Sequence, residues 1–350
     1  MDPQGVRTLL HRHRSTPALK PSRLRSVLES LLAQRWPAFI WGPPGIGKSS
    51  IVHSIAHARG LPVIDLRASL LDPTDLRGIP AIEGGRAVWC PPSFLPKAGE
   101  PPGILFLDEI NAAPPLVQAS LYQLVLDRRV GEYVLPEGWW IVAAGNRAQD
   151  RAVTFRMSSA LANRFVHLDL DTDVEDWREW ALQRRLEPLV VSFIGVRPNL
   201  LRQEPGEASA YPTPRSWEMA SDVTGTFGGG LAGYRACADV LPGIVGQAAA
   251  VEFAGFVKKA ASEKQMRAIV DDPAGAPLPD ALDGIYLLTS WLAYHAEDVE
   301  ISKASAVLLG RLPAEFGVVL ARDMLKARPT FAREAGYRDF LKQHGHLIQR

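Results

Sequence analysis

The segment Gly42-Pro43-Pro44-Gly45-Ile46-Gly47-Lys48-Ser49 constrains this chain more than any other. It follows a short apolar run, Ala38-Phe39-Ile40-Trp41, and precedes an amphipathic stretch over 49–59 that predicts a helix closing at Gly60. The pattern G-x4-G-K-[ST] between strand and helix is that of a phosphate-binding loop. Its glycines let the backbone turn tightly, so that consecutive N–H groups at a helix N-terminus can surround phosphate oxygens. Lys48 can then reach the β- and γ-phosphates, and the Ser49 hydroxyl can ligate Mg²⁺. A Gly/Pro turn that happens to precede Lys-Ser is the bland alternative; the strand before it and the helix after it argue against that. The candidate nucleotide-binding residues are Gly42, Pro43, Pro44, Gly45, Ile46, Gly47, Lys48, Ser49 and Ser50.

Around this loop, residues 37 to about 200 alternate between short apolar runs and amphipathic stretches. Leu61-Pro62-Val63-Ile64, Ile104-Leu105-Phe106-Leu107 and Trp140-Ile141-Val142-Ala143 join Ala38–Trp41 as strands expected to be buried on both faces. Val166 to Leu170 gives a further strand, and 115–127 a further helix. Near-continuous apolar strands separated by helices predict a parallel sheet covered on both sides, an α/β domain. After Arg197-Pro198 the strand signal stops. A polar connection from Gln203 to Pro214 leads into helix-like segments around 215–223, 237–264, 281–296 and 314–326. Ahead of the α/β region, Leu24, Val27, Leu28, Leu31 and Leu32 predict an amphipathic helix ending before Trp36-Pro37. It lies in a basic segment (Arg7, Arg12, Arg14, Lys20, Arg23, Arg25). The expected organisation is a basic N-terminal helical segment over 1–35, an α/β domain over 36–200 and a helical region over 201–350.

Two acids end the third apolar run, Ile104-Leu105-Phe106-Leu107-Asp108-Glu109. Beside a phosphate loop, Asp108 would hold Mg²⁺, usually through water, and Glu109 would orient and polarise an attacking water. Alone, such a pair means only that a strand has reached solvent. The run Trp140 to Gly145 ends in Asn146, whose amide could hydrogen-bond both the γ-phosphate and that water; in isolation it is a turn residue after Gly145.

Two arginines complete the set. Ser158-Ser159-Ala160-Leu161-Ala162-Asn163-Arg164-Phe165 reads as a short helix feeding the strand at Val166, and an isolated Arg164 there is an ordinary solvated charge. In Thr213-Pro214-Arg215, Thr at the N-cap and Pro at the first position start a helix. Arg215 then sits in the first turn, where the helix macrodipole disfavours a cation and a bound phosphate would reverse that sign.

Taken in order, GPPGIGKS, LFLDE, VAAGN, SALANRF and TPRSWE make the sequence resemble the AAA+ ATPases, over residues 37 to about 220. Within them it is similar to the MoxR-like branch with a helix-2 insert. The resemblance implies a three-layer P-loop NTPase core with ATP and Mg²⁺, followed by an all-helical lid and a C-terminal helical extension. It makes Lys48 and Ser49 the Walker A residues, Asp108 and Glu109 Walker B, and Asn146 sensor 1. It makes Arg164 a finger acting on a neighbouring subunit's ATP, with Arg156 a second candidate, and Arg215 the sensor 2 arginine of the lid. Residues 72–89 match the insert, with a hairpin turning at Glu83-Gly84-Gly85-Arg86. Arg128 to Pro136 stands where the family carries a pre-sensor 1 hairpin. The resemblance leaves unnamed the polar residue that restrains Glu109, and assigns nothing to the tail from about 265 to 350.

Composition narrows the function classes. Lys and Arg total 39 against 38 Asp and Glu, a net charge of +1, which suits a protein client better than a nucleic-acid track. The two cysteines, Cys90 and Cys237, are too few for a disulfide framework. No apolar run approaches the length of a membrane span, and a cytoplasmic protein is the expectation. The leading expectation is a ring-forming, Mg²⁺-dependent ATPase that remodels a protein partner. A hexamer, and a partner with a von Willebrand factor A-type domain, are expected from the resemblance alone. The alternatives are a nucleic-acid motor or restriction-type NTPase, with Arg128 and Arg129 on phosphates, and a nucleotide-gated switch with little turnover.

Overall fold

The structure, a computed structural model, describes residues 17–147, 150, 155, 157–206 and 208–348. Arg7, Arg12, Arg14 and Arg156 lie outside the described residues. The chain divides into two compact units, 1–172 and 173–350.

The first unit is built on a parallel sheet. Its strands are β1 (Ala18–Leu19), β2 (Ala38–Trp41), β3 (Val63–Arg67), β6 (Ile104–Asp108), β9 (Trp140–Gly145) and β10 (Val166–Leu170), in the order β1-β10-β2-β9-β6-β3. Two hairpins stand apart from it. They are β4 (Ile79–Glu83) with β5 (Arg86–Cys90), and β7 (Arg129–Val130) with β8 (Tyr133–Val134). Both fall where the insert and the second hairpin were expected.

Alternation along the central strands makes the three layers. Phe39, Leu105, Leu107, Ile141 and Ala143 face one side and pack with Val117, Leu121 and Leu124 of the helix Pro115–Asp127. Ala38, Ile40, Ile104, Phe106, Trp140 and Val142 face the other. There they meet Leu24 and Leu28 of α1 (Pro21–Gln34) and Val52 and Ile55 of α2 (Lys48–Arg59). Strands apolar on both faces are thus buried on both faces, as expected for β2, β6 and β9.

β3 differs from expectation. It begins at Val63, and it is the edge strand, with Asp65 and Arg67 exposed. Those charged side chains need water, and an edge provides it.

The second unit is helical. α3 (Val174–Gln183), α4 (Pro188–Val196), α5 (Pro214–Thr226) and α6 (Gly230–Cys237) are followed by α7 (Pro242–Val245) and α8 (Gln247–Val257). Then come α9 (Glu263–Asp271), α10 (Leu282–Tyr294), α11 (Val299–Leu308), α12 (Ala314–Ala327) and α13 (Ala335–Ile348). Phe193, Trp217, Phe253 and Phe256 form an aromatic cluster at its core. The expected single helix over 237–264 is broken. Pro242 starts a new turn, and Gly246 takes a φ of 85° where a Cβ would stand 2.7 Å from the Ala210 carbonyl oxygen. The strand signal ends with β10, and the helices after it bury their apolar faces in the helical unit. The compact units therefore divide after Thr172, ahead of the boundary at residue 200 that Arg197-Pro198 suggested.

The tail beyond 265 is part of this core. Arg178 of α3, 1% exposed, pairs with Asp323 of α12, 2% exposed, at 3.2 Å. Arg322 bridges from the same helix to Glu175 at 2.5 Å.

Candidate active site

Strand order brings the singled-out residues of the first unit to one edge of the sheet. β2 lies between β10 and β9, with Trp41 in register with Asp169 on one side and Gly145 on the other. β6 follows, its Leu107 opposite Ala143. Phosphate loop, Asn146 and the Asp108-Glu109 pair therefore leave the carboxyl ends of three adjacent parallel strands, where ligands of open α/β sheets bind.

The loop fits a phosphate. Gly45 and Gly47 take φ of 76° and 102°, and open space lies where a Cβ would stand on Gly47. Only a glycine suits that backbone, and the space beside it is what a cradle for phosphate oxygens requires. The first closed turn of α2 runs from the Ile51 N–H to the Gly47 carbonyl at 3.1 Å. The donors ahead of it are the N-terminal N–H groups that an anion can satisfy. Ser49 is half-buried and Ser50 exposed.

Lys48 is buried, and its ammonium is aimed across the loop. Nζ donates to the carbonyls of Gly42 at 2.6 Å and Pro43 at 3.1 Å, and to Asn146 Oδ1 at 2.9 Å. The expected loop lysine and the expected polar sensor thus touch.

Asp108 ends β6, half-buried, and accepts the Glu109 N–H at 2.9 Å. Burial pushes its carboxyl above the ordinary carboxylate value, against the Glu109 N–H and the Lys48 charge, which act the other way. With the Ser49 hydroxyl it is a sparse hard-oxygen set of the kind that suits Mg²⁺ arriving with phosphate oxygens and water.

Glu109 has a φ of 56°, a left-handed backbone that costs a non-glycine residue on the order of 1 kcal/mol. Its Oε2 accepts a hydrogen bond from the Ser69 hydroxyl at 2.5 Å. Ser69 belongs to a short turn after β3 (Ala68–Leu70), so this bond ties the Glu109 carboxylate to that turn.

Asn111 is a second residue the sequence reading missed. Its side chain grips the backbone of Asn146 at both ends: Nδ2 donates to the carbonyl at 2.6 Å, and Oδ1 accepts the N–H at 3.2 Å. A Cβ on Gly145 would lie 2.3 Å from that Oδ1, so a glycine is required before Asn146. Arg147, next in sequence, reaches past β2 to pair with Asp169 of β10, Nε lying 3.0 Å from Oδ1.

Arg164 follows the helix Ser159–Ala162, capped by the Ser158 hydroxyl, and is exposed. Among the described residues its guanidinium has no hydrogen bond or ion pair. Arg215 belongs to the helical unit. Thr213 caps its helix, Pro214 opens it, and the Arg215 side chain is exposed.

Residues 37–165 match the family described as the AAA domain (dynein-related subfamily). The denitrification regulatory protein NirQ of Stutzerimonas stutzeri is 30% identical over 155 residues, covering 41% of this chain and 56% of that protein. Protein NorQ of Paracoccus denitrificans is 29% identical over 154 residues, with 42% and 56% covered. Protein MoxR of Paracoccus denitrificans is 30% identical over 156 residues, with 41% and 43% covered. The first unit carries a MoxR-like AAA+ domain. The chain spans about half the length of these relatives, and the likeness falls on the AAA+ domain. Among the described residues, no helix is long and apolar enough to cross a membrane.

Proposed function

We propose that this chain is a Mg²⁺-dependent ATPase that works as a ring and uses hydrolysis to remodel or activate a protein partner. The observation that carries the reading is the Lys48–Asn146 contact beside the Asp108-Glu109 pair. A phosphate-binding cation, a polar sensor and two carboxylates meet at adjacent strand ends.

In this reading the loop N–H groups and Lys48 hold the β- and γ-phosphates, so binding places the scissile bond against fixed donors. Ser49 and Asp108 would hold a metal ion, which would neutralise charge on the phosphate oxygens. Glu109, released from Ser69, orients and polarises the attacking water, and Asn146 hydrogen-bonds water and γ-phosphate together. Arg164, whose exposed guanidinium has no hydrogen bond or ion pair among the described residues, supplies positive charge to a neighbouring subunit's γ-phosphate. Arg215 takes the sensor 2 role on the resemblance alone.

A protein client suits the net charge of +1 better than a nucleic-acid track does. NirQ is named as a regulatory protein, which accords with action on a partner. A partner with a von Willebrand factor A-type domain, and a hexameric ring, remain the first candidates. The Ser69–Glu109 contact also weighs against a slow switch, since a restrained water-activating acid suits regulated turnover.

The test measures phosphate release and mass by light scattering, with Mg²⁺-ATP and with ATP plus a chelator. Turnover that requires Mg²⁺, with assembly into a closed oligomer, is expected. A monomer under all conditions, or turnover that depends steeply on DNA or RNA, would overturn the ring or the protein-client part respectively.

A further inference from the structure

His167 of β10 lies between the strand that feeds the phosphate loop and the turn that carries Arg164. Trp41, the last residue of β2, donates its indole N–H to His167 Nδ1 at 2.8 Å. An indole nitrogen only donates, so Nδ1 is the acceptor. His167 Nε2 lies 2.7 Å from the carbonyl oxygen of Ala162, which only accepts. The proton of the bridging ring is therefore on Nε2, and both ring nitrogens are committed.

Ala162 closes its helix, and the same carbonyl accepts the Phe165 N–H at 3.3 Å across Asn163-Arg164. Packing fixes the ring as well. His167 stacks on Trp41 at 20° with centroids 5.9 Å apart, and lies near Phe39 and edge-on to Phe165. A satisfied core histidine needs partners of any origin. This one draws one partner from the residue preceding Gly42 and the other from two residues before Arg164. Asp169, two residues on and so on the same face of β10, takes the ion pair from Arg147. One face of β10 thus bonds to both strand ends that carry the loop and the sensor.

We propose that His167 is a positioning residue that locks the Arg164 turn to the phosphate-loop strand. Nucleotide on one subunit's loop then sets how that subunit presents Arg164 to its neighbour. The inference rests on the reading above, in which Arg164 serves the adjacent site.

Three substitutions separate the bonds. His167→Gln keeps a donor where Nε2 stood, His167→Asn keeps an acceptor where Nδ1 stood, and His167→Phe keeps the ring without either. The first measurement is amide hydrogen exchange over residues 160–166 with and without Mg²⁺-ATPγS, beside ATPγS affinity and thermal melts. In the unsubstituted protein, ATPγS should slow exchange in this turn about fivefold, the weight of one buried hydrogen bond. His167→Phe should bind ATPγS equally well, lose the slowing and lower kcat about fivefold with KM little changed. His167→Gln should regain part of both effects, and His167→Asn should not. A turn that responds equally in His167→Phe, or never responds to ATPγS, overturns the inference.

The second measurement mixes His167→Phe with Glu109→Gln subunits, which bind nucleotide without turning it over. Turnover should recover, because the nucleotide-bound Glu109→Gln subunit supplies an intact Arg164 turn to the intact Glu109 of its neighbour. Failure here while an Arg164→Ala and Lys48→Ala mixture recovers overturns the inference. Failure of both mixtures overturns the shared-site reading instead, and the exchange result still decides the coupling within one subunit.

Discussion

The Ser69 hydroxyl donates to the Glu109 carboxylate at 2.5 Å, tying the acid at the end of β6 to the turn after β3. In the proposed mechanism this bond holds Glu109 away from the attacking water until binding events elsewhere release it. Ser69→Ala removes the hold. Basal phosphate release should rise about tenfold, the weight of a hydrogen bond to a charged group, with nucleotide affinity little changed. Unchanged basal turnover would show that Ser69 exerts no restraint.

At Asp108 the proposed metal-holding role and stability oppose each other. Burial raises its pKa above 3.8, so the folded state holds the proton more tightly than the unfolded chain does. The stabilising contribution of that proton is present below the unfolded pKa and is lost as pH rises through the folded one. Asp108→Asn keeps an acceptor for the Glu109 N–H and removes the buried charge. It should raise Tm at neutral pH, by about 2–4 °C for each kcal/mol relieved, while Mg²⁺-dependent turnover is lost. A lower Tm would mean that the carboxylate is stabilised by its surroundings.

The Arg164 assignment is tested by mixing. Arg164→Ala rings should bind nucleotide and turn over slowly, and Lys48→Ala rings should not bind it. Mixed rings should recover activity, because some interfaces then join an intact loop to an intact Arg164. No recovery at any ratio, with mixed rings verified by mass, would place the working arginine elsewhere.

In the helical unit, Arg178 and Asp323 join the first helix to the C-terminal extension in a buried pair. Asp323→Ala would leave the Arg178 guanidinium buried, with Glu175 at 3.7 Å as its remaining acidic partner. Stability should fall by about 3–5 kcal/mol in urea unfolding. A loss below about 1 kcal/mol would mean that water or rearrangement compensates readily.

The parts of this molecule that were legible in sequence are those whose physics is local. The phosphate loop carries its own turn, cap and cation within eight consecutive residues, and Thr213-Pro214 starts a helix without outside help. Ser69, Asn111 and His167 were not legible. Each is an unremarked polar residue until the strand order β10-β2-β9-β6-β3 sets it beside its partner. The edge position of β3 had a signal that went unused: Asp65 and Arg67 alternate with apolar residues, a pattern of one wet face. The broken helix over 237–264 had one too, in Pro242 and Gly246. The division after Thr172 had none, because the burial of the following helices is decided by distant ones such as α12.

In the proposed mechanism Glu109 activates water for ATP hydrolysis at the loop. Glu109→Gln keeps the shape and an acceptor for Ser69 while removing the charge that polarises water. The measurement is phosphate release beside equilibrium binding of a fluorescent ATP analogue. Glu109→Gln should bind the analogue as the unsubstituted protein does and lose turnover by about a hundredfold or more. Normal turnover by Glu109→Gln would contradict this role for the carboxylate.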